Sequence, residues 1–524
     1  MKISARFSYD SFRHDQTTDA HLVVSLTAPA RDGEATRQAI CVVPVIDVSG
    51  SMSGAKLDYA KRSAIKLIEH LKTGDYCGVI AFGSDVYVVA EPTRIDGDAK
   101  ERLKAEVGKL GIRGSTNFAG GLLKAIELVD KLDLPATVIQ RIIMFTDGQA
   151  NVGVATKPEE LTRLLEANMG RSTVSAFGYG QDVSQQLLTD FARIGKGNYA
   201  YIDQPDAALS AFGMELGGLL STYGTDIVLD LTPLQGHRVT QVVTDVEAEI
   251  ETIGGDVEVK IPSILGEETR HLVFAVKLEE QKQAFPRSVN TFDVKVRYDT
   301  INAAGKRETL TLETKAKTKF VKAGDEATKP NADLDAVIGL AQLVRAQIAA
   351  EASASRGDYV AAQNAIGEVQ HDVRRRGLGG VLRAATALGE KYASPAAYAG
   401  SENYRVGMRS GGTRGMGVMS LDASLHADLA ETGAVSFTNS TMEKTASSFT
   451  GGDPQPGVPM VSVDSAVPAA QPDLSSWVQI MAGSVAPAQP GITVNPILIA
   501  SDATPLPTKT ERRTLKQPKS STRW

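Results

Sequence analysis

The sequence predicts an α/β fold: a doubly wound, mostly parallel sheet inserted in an antiparallel β domain, followed by a small helical region and a disordered tail. Three observations carry this prediction. Between Ile40 and Tyr201 short apolar runs alternate with longer amphipathic stretches, as parallel strands covered on both faces by helices require. From Thr225 to Lys322 the apolar period drops to two, as in Val257, Val259 and Ile261 and again in Phe292, Val294, Val296 and Tyr298. Beyond Ser394, Gly, Ser, Thr, Ala and Pro prevail, and apolar residues are too few to offset the entropy of ordering the chain.

The elements follow in order. Ile3, Ala5, Phe7 and Tyr9 alternate with polar residues, so the first 28 residues read as strands that precede the α/β segment and pair into the later β domain, making the α/β domain an insertion. Within the insertion, strands are predicted over 41–47, 76–82, 86–90, 141–146, 173–179 and 198–202. Apolar residues at three- and four-residue spacing predict helices over 56–71, 100–109, 118–131, 158–167 and 184–194. After a linker over 324–331, Val337, Leu340, Val344 and Ile348 form one helical stripe, and 359–369 and 378–388 supply two more helices. The resulting boundaries are 1–35 for the N-terminal strands, 36–223 for the α/β domain, 224–323 for the β domain, 332–393 for the helices and 394–524 for the tail. The tail ends in a basic stretch, Lys509, Arg512, Arg513, Lys516, Lys519 and Arg523 against Glu511, read as a solvated end.

At 524 residues the chain exceeds one ordinary core, and its 42% hydrophobic and 23% charged content is that of a globular protein. A formal charge of −6 supplies no basic face for phosphates, so no nucleic-acid partner is expected. No run reaches the roughly 18 uninterrupted apolar residues of a membrane-spanning helix, and the start lacks the apolar stretch of a signal peptide. The expected setting is cytoplasmic. Only Cys41 and Cys77 occur, both at the openings of apolar strands, and they read as buried thiols rather than a disulfide framework.

One constellation carries chemistry. The first strand of the α/β segment ends in Asp47-Val48-Ser49-Gly50-Ser51, which places a carboxylate and two hydroxyls where the chain leaves the sheet, the edge at which open sheets bind ligands. Oxygen donors of this kind suit a hard cation such as Mg²⁺. A later strand ends in Thr146-Asp147-Gly148 and brings a second carboxylate to the same edge if the two strands are adjacent. Taken singly, the first motif reads rather as an ordinary helix cap with no metal.

Together, Asp47-x-Ser49-x-Ser51, the Gly114-Ser115-Thr116-Asn117 loop and Thr146-Asp147-Gly148 resemble the metal-ion-dependent adhesion site (MIDAS) of von Willebrand factor type A (VWA) domains, a Rossmann-like fold. The resemblance covers about Ile40 to Leu220. It implies that Asp47, Ser49, Ser51, Thr116 and Asp147 hold Mg²⁺, or Mn²⁺ or Ca²⁺. The serines and threonine would coordinate directly or through water, and the aspartates through water or in exchange with the threonine. In that family one coordination position stays open for an Asp or Glu carboxylate of a partner protein. The wider order, VWA within a split β domain and followed by helices, is similar to inter-α-trypsin-inhibitor heavy-chain-like and bacterial VWA proteins.

Rival readings at the same residues are weaker. A dinucleotide fold needs G-x-G-x-x-G after the first strand, where this chain has Ser49-Gly50-Ser51. An aspartyl-phosphate enzyme with Asp47 as nucleophile lacks a second acid at position 49. None of His14, His21, His70, His237, His271, His371 and His426 lies in these loops, so acid-base chemistry has no agent there. The glycines of Gly178-Tyr179-Gly180 and Gly195-Lys196-Gly197 read as punctuation, and Arg374, Arg375 and Arg376 as a positive helix end. The expected function is a non-enzymatic, metal-dependent protein-interaction module acting as an adaptor or scaffold. The alternative is a structural or virion assembly component that uses the VWA domain as a building block. Oligomeric state is not readable.

Overall fold

Strand formation in the α/β segment follows from residues that can be buried on both sides. The computed structural model describes residues 1–401 except 31–37, 136, 181–182, 203–204, 252–254, 283–286, 303–305 and 323–328, and beyond them Tyr404, Arg405, Met408, Met442, Lys444 and Thr445. The chain opens with β1 (Lys2–Phe7), β2 (Phe12–Arg13) and β3 (Thr18–Thr27), and then enters the α/β domain. There it runs β4 (Ile40–Asp47), α1 (Ala55–His70), β5 (Tyr76–Phe82), β6 (Val86–Arg94), α2 (Ala99–Gly108), α3 (Phe118–Asp130) and β7 (Ile139–Thr146). It continues through α4 (Pro158–Asn168), β8 (Thr173–Tyr179), α5 (Gln185–Ile194), β9 (Lys196–Ile202) and α6 (Pro205–Leu220).

The sheet order is β6-β5-β4-β7-β8-β9, parallel except for the antiparallel edge strand β6. Every residue of β4 is buried, and alternate side chains serve opposite layers. Ile40, Val42 and Ile46 pack with Leu57, Ala64 and Ile68 of α1, Leu103 of α2 and Phe212 of α6. Cys41, Val43 and Val45 pack with Phe118 and Leu122 of α3, Leu161 of α4 and Phe191 of α5. Cys77 belongs to the first layer and Cys41 to the second, so the two free thiols lie on opposite faces of the sheet and form no disulfide. Helix α6 is not announced by the sequence, because apolar residues and Gly213, Gly217 and Gly218 leave no polar face to set a period.

The β domain holds β10 (Thr222–Pro233), β11 (Arg238–Val242), β12 (Glu247–Ile250), β13 (Val257–Leu265), β14 (Thr269–Leu278), β15 (Arg287–Ile301) and β16 (Arg307–Val321). The N-terminal strands join it as expected: β1 pairs with β3, β3 with β14, and the short β2 with β16. Where one antiparallel sheet is expected, the described strands form two, β1-β3-β14-β11 and β12-β13-β10-β15-β16-β2. Leu22, Leu26, Leu272 and Phe274 of one face Leu229, Leu231, Val294 and Val296 of the other across a shared core. A period of two marks a buried face without saying what covers it, so the second sheet is invisible in the pattern.

Helices α7 (Ala332–Ala354), α8 (Tyr359–Arg375) and α9 (Gly379–Lys391) form the helical region, with Leu334, Ile338 and Ala341 of α7 packed on Val23 of β3 and Val273 of β14. Arg376 at the end of α8 ties back to α7 through Asp335 at 3.1 Å, a structural use. Ordered structure continues past Ser394, where the sequence predicts the tail to begin. Ser394 caps α10 (Pro395–Ala399), and Tyr404 and Met408 enter the helical core. The reason is a polar anchor: Glu351 accepts hydrogen bonds from the Tyr392 and Tyr398 hydroxyls at 2.8 and 2.7 Å and pairs with Arg405. The Arg405 guanidinium also lies 3.8 Å from the Tyr398 ring centroid. Beyond residue 401 and apart from Tyr404, Arg405, Met408, Met442, Lys444 and Thr445, the predicted tail, including the basic stretch, lies outside the described residues. Among the described residues no helix is long and apolar enough to cross a membrane.

Candidate metal centre

Strands β4 and β7 are adjacent and parallel, with Ile46 opposite Phe145, so Asp47 and Asp147 leave the sheet side by side. Three loops meet at that rim. The first, carrying Ser49 and Ser51, is joined to the second by Gly50 N–H donating to the Gly114 carbonyl at 2.9 Å and Arg113 N–H to the Val48 carbonyl at 2.6 Å. The second is joined to the third by Thr116, whose N–H donates to Asn151 Oδ1 at 2.8 Å and whose carbonyl accepts from Asn151 N–H at 3.2 Å. Gly114 has φ +64°, and a Cβ there would stand 2.3 Å from Ser84 Oγ, so only glycine lets the second loop close on the end of β5.

All five residues singled out in the sequence belong to these loops. Asp47, Ser49, Thr116 and Asp147 are buried, whereas Ser51 is exposed and marks the side open to solvent. Ser49 and Ser51 bring their hydroxyls within 3.1 Å of each other. Asp47 accepts from Ser49 N–H at 2.9 Å through Oδ1 and from Thr146 Oγ1 at 2.6 Å through Oδ2. Burial pushes the Asp47 carboxyl up to about 6 against hydrogen bonding from the Ser49 hydroxyl, Thr146 and the Ser49 N–H, and the Asp147 charge adds to the rise. Asp147 Oδ2 lies 3.4 Å from Lys56 Nζ, and its Oδ1 is buried with no hydrogen-bond partner among the described residues.

The donor set fits a hard dication. Buried acceptors are normally satisfied, so an orphaned carboxylate oxygen beside a second carboxylate and paired hydroxyls is an arrangement that a cation would complete. Among the described residues no three His, Cys, Asp or Glu side chains cluster as metal ligands, and this rim offers two carboxylates supplemented by hydroxyls. Residues that sequence reasoning left without a role also act here. Thr146 orients Asp47, Asn151 holds Thr116, and Lys56 faces Asp147. Thr146 was visible as the neighbour of Asp147, but a lysine in the first turn of a helix carries no signal that separates it from a solvated one.

Of the remaining motifs, Gly178-Tyr179-Gly180 stands against Lys56 at the rim, and the others stay apart from it. His237 and His271 lie in the β domain and His371 on α8, while His426 lies outside the described residues. Gly195 and Gly197 sit at the tight join of α5 and β9.

The von Willebrand factor type A domain family matches residues 42–212. Inter-alpha-trypsin inhibitor heavy chain H1 of Sus scrofa is 34% identical over 157 residues, 28% of this chain and 17% of that protein. Heavy chain H3 of Pongo abelii is 31% identical over 219 residues, 37% of this chain and 24% of that protein. The chain thus spans about a quarter or less of these two relatives. An uncharacterized protein of Synechocystis sp. is 27% identical over 54% of this chain and 67% of its own length. The solved von Willebrand factor type A protein from Catenulispora acidiphila shares the fold at a TM-score of 0.56 and 21% identity, covering 73% of this chain and 88% of that one. The doubly wound sheet, its three converging loops and the family match together make residues 42–212 a von Willebrand factor type A domain.

Proposed function

We propose that this domain holds a divalent cation, Mg²⁺ or else Mn²⁺ or Ca²⁺, at Asp47, Ser49, Ser51, Thr116 and Asp147, and uses it to grip an Asp or Glu side chain of a partner protein. The observation that carries the reading is the buried, unpartnered Oδ1 of Asp147 beside Asp47 at the solvent-open rim. When bound, the dication supplies an electrophilic position for an outside carboxylate, since the five side chains leave part of its coordination shell open. The chain's own part is to hold the donors still. Thr146 fixes the Asp47 carboxylate, Asn151 fixes Thr116, and Gly50 locks the serine loop to the threonine loop.

The whole chain is, in this reading, a non-enzymatic adaptor or scaffold. The split β domain and the helices around residues 42–212 supply further surface for assembly. A cytoplasmic setting belongs to the same proposal. Isothermal titration of the full chain with MgCl₂ should show one site, lost in Asp47→Ala. Capture of a partner should vanish with chelator. Binding unchanged in Asp47→Ala would overturn the reading.

A further inference from the structure

We propose that Lys56 sets the charge of this site so that it holds a dication less tightly and the outside carboxylate more tightly. The inference rests on the metal-dependent reading above and deepens it. Lys56 sits in the first turn of α1 with Nζ 3.4 Å from Asp147 Oδ2 and only 26% of its side chain exposed, while Asp147 is fully buried. Its stem reaches the site past Gly180 at the end of β8. Gly180 has φ +88°, and a Cβ there would stand 2.4 Å from Lys56 Cε and 2.9 Å from Nζ. The fold therefore leaves a channel that the lysine fills, and its charge is delivered to the rim instead of to bulk water.

The consequence follows from charge alone. Two ionised aspartates neutralise a dication, and a site that is neutral when loaded has little net attraction for a further anion. With an ammonium at Asp147 the loaded site carries one positive charge, and an arriving carboxylate restores neutrality. The same ammonium repels the dication on entry. One residue thus moves two successive binding steps in opposite directions, which a merely structural residue does not do.

The test uses the full chain as wild type, Lys56→Met and Lys56→Arg. Methionine keeps much of the apolar stem and removes the charge, and arginine keeps the charge. MgCl₂ is titrated calorimetrically, and acetate is then titrated into Mn²⁺-saturated protein while water-proton relaxation is followed. Lys56→Met should bind Mg²⁺ about tenfold more tightly and acetate about tenfold more weakly, with Lys56→Arg close to wild type in both. Any pattern in which the two affinities of Lys56→Met fail to move in opposite directions overturns the proposal, provided that wild type binds Mg²⁺ and Asp47→Ala does not. Absence of Mg²⁺ uptake by the wild-type chain instead overturns the metal reading itself, and this inference with it.

Discussion

Replacing Thr146 by valine removes a hydroxyl while keeping its shape, and the structure sets how large the effect should be. Thr146 Oγ1 donates to Asp47 Oδ2 at 2.6 Å and accepts from Gly148 N–H at 2.9 Å, with both side chains fully buried. A hydrogen bond to a charged group contributes about 1.5–3 kcal/mol, and a buried N–H left without its acceptor costs about 1–3 kcal/mol. The two share one oxygen and are not additive, so about 3 kcal/mol is expected in total. Asp47 also loses one of the hydrogen bonds that oppose its rise, so its charged form becomes still less favourable. Peptide-resolved hydrogen exchange of the chelator-treated full chain reads this locally, which matters because a chain of several domains need not unfold in one step. Exchange of the β4 and β7 amides in Thr146→Val should accelerate about a hundredfold, the equivalent of about 3 kcal/mol, and Thr146→Ser should stay within about threefold of wild type. Acceleration below about threefold in Thr146→Val would refute the claim that this hydroxyl pins the Asp47 carboxylate.

The other predictions concern the supporting structure. Glu351→Gln leaves the buried Arg405 guanidinium without its counter-charge and should destabilise the helical region by about 3 kcal/mol. That is the lower end for such a loss because Glu351 is itself partly exposed, and exchange protection across α7 to α9 is the readout. Gly114→Ala forces a positive φ and a clash with Ser84, so it should cost about 1–2 kcal/mol of backbone strain and weaken Mg²⁺ uptake in calorimetry. Burial lowers the pKa of His21, His237 and His271 from 6.5. Above 6.5 both folded and unfolded forms are neutral; as pH falls below it the unfolded chain takes up protons that the folded chain refuses, so stability of the β domain should decline. Denaturation at pH 7.5 and 5.5 checks this, and His237→Asn should flatten the slope.

How much of this was legible in the sequence differs between fold and site. Strands β5 and β8 have the predicted bounds and β4 and β7 start one or two residues earlier, because apolar runs ended by Asp, Gly or Ser leave little freedom at the ends. Strand β6 runs on to Arg94 through Pro92, which an edge strand tolerates and a pattern reading stops before. Helix α6, α10 and the described residues Tyr404, Arg405 and Met408 were missed for the same physical reason. Each is held by tertiary contacts, Phe212 and Leu216 on the sheet in one case and the Glu351 cluster in the other, and not by a local period.

The candidate site was legible where chemistry needs a residue type at a strand end, and illegible where it needs a direction. Asp47, Ser49, Ser51 and Asp147 stand out as acids and hydroxyls at or just past the ends of buried strands, and Thr116, in the loop before α3, stands out only in combination with them. Their adjacency depends on β4 lying beside β7, which no spacing states and the sheet order supplies. The groups that tune them are ordinary residues aimed at an unusual place. Burying two carboxylates together is unfavourable, and the chain meets this with one hydroxyl from Thr146, one backbone N–H from Ser49 and one ammonium from Lys56. That compensation stops short: among the described residues nothing donates to Asp147 Oδ1. A rim built for stability alone would satisfy that oxygen with one of the neighbouring hydroxyls, so the unmet acceptor is the physical ground for expecting a cation there.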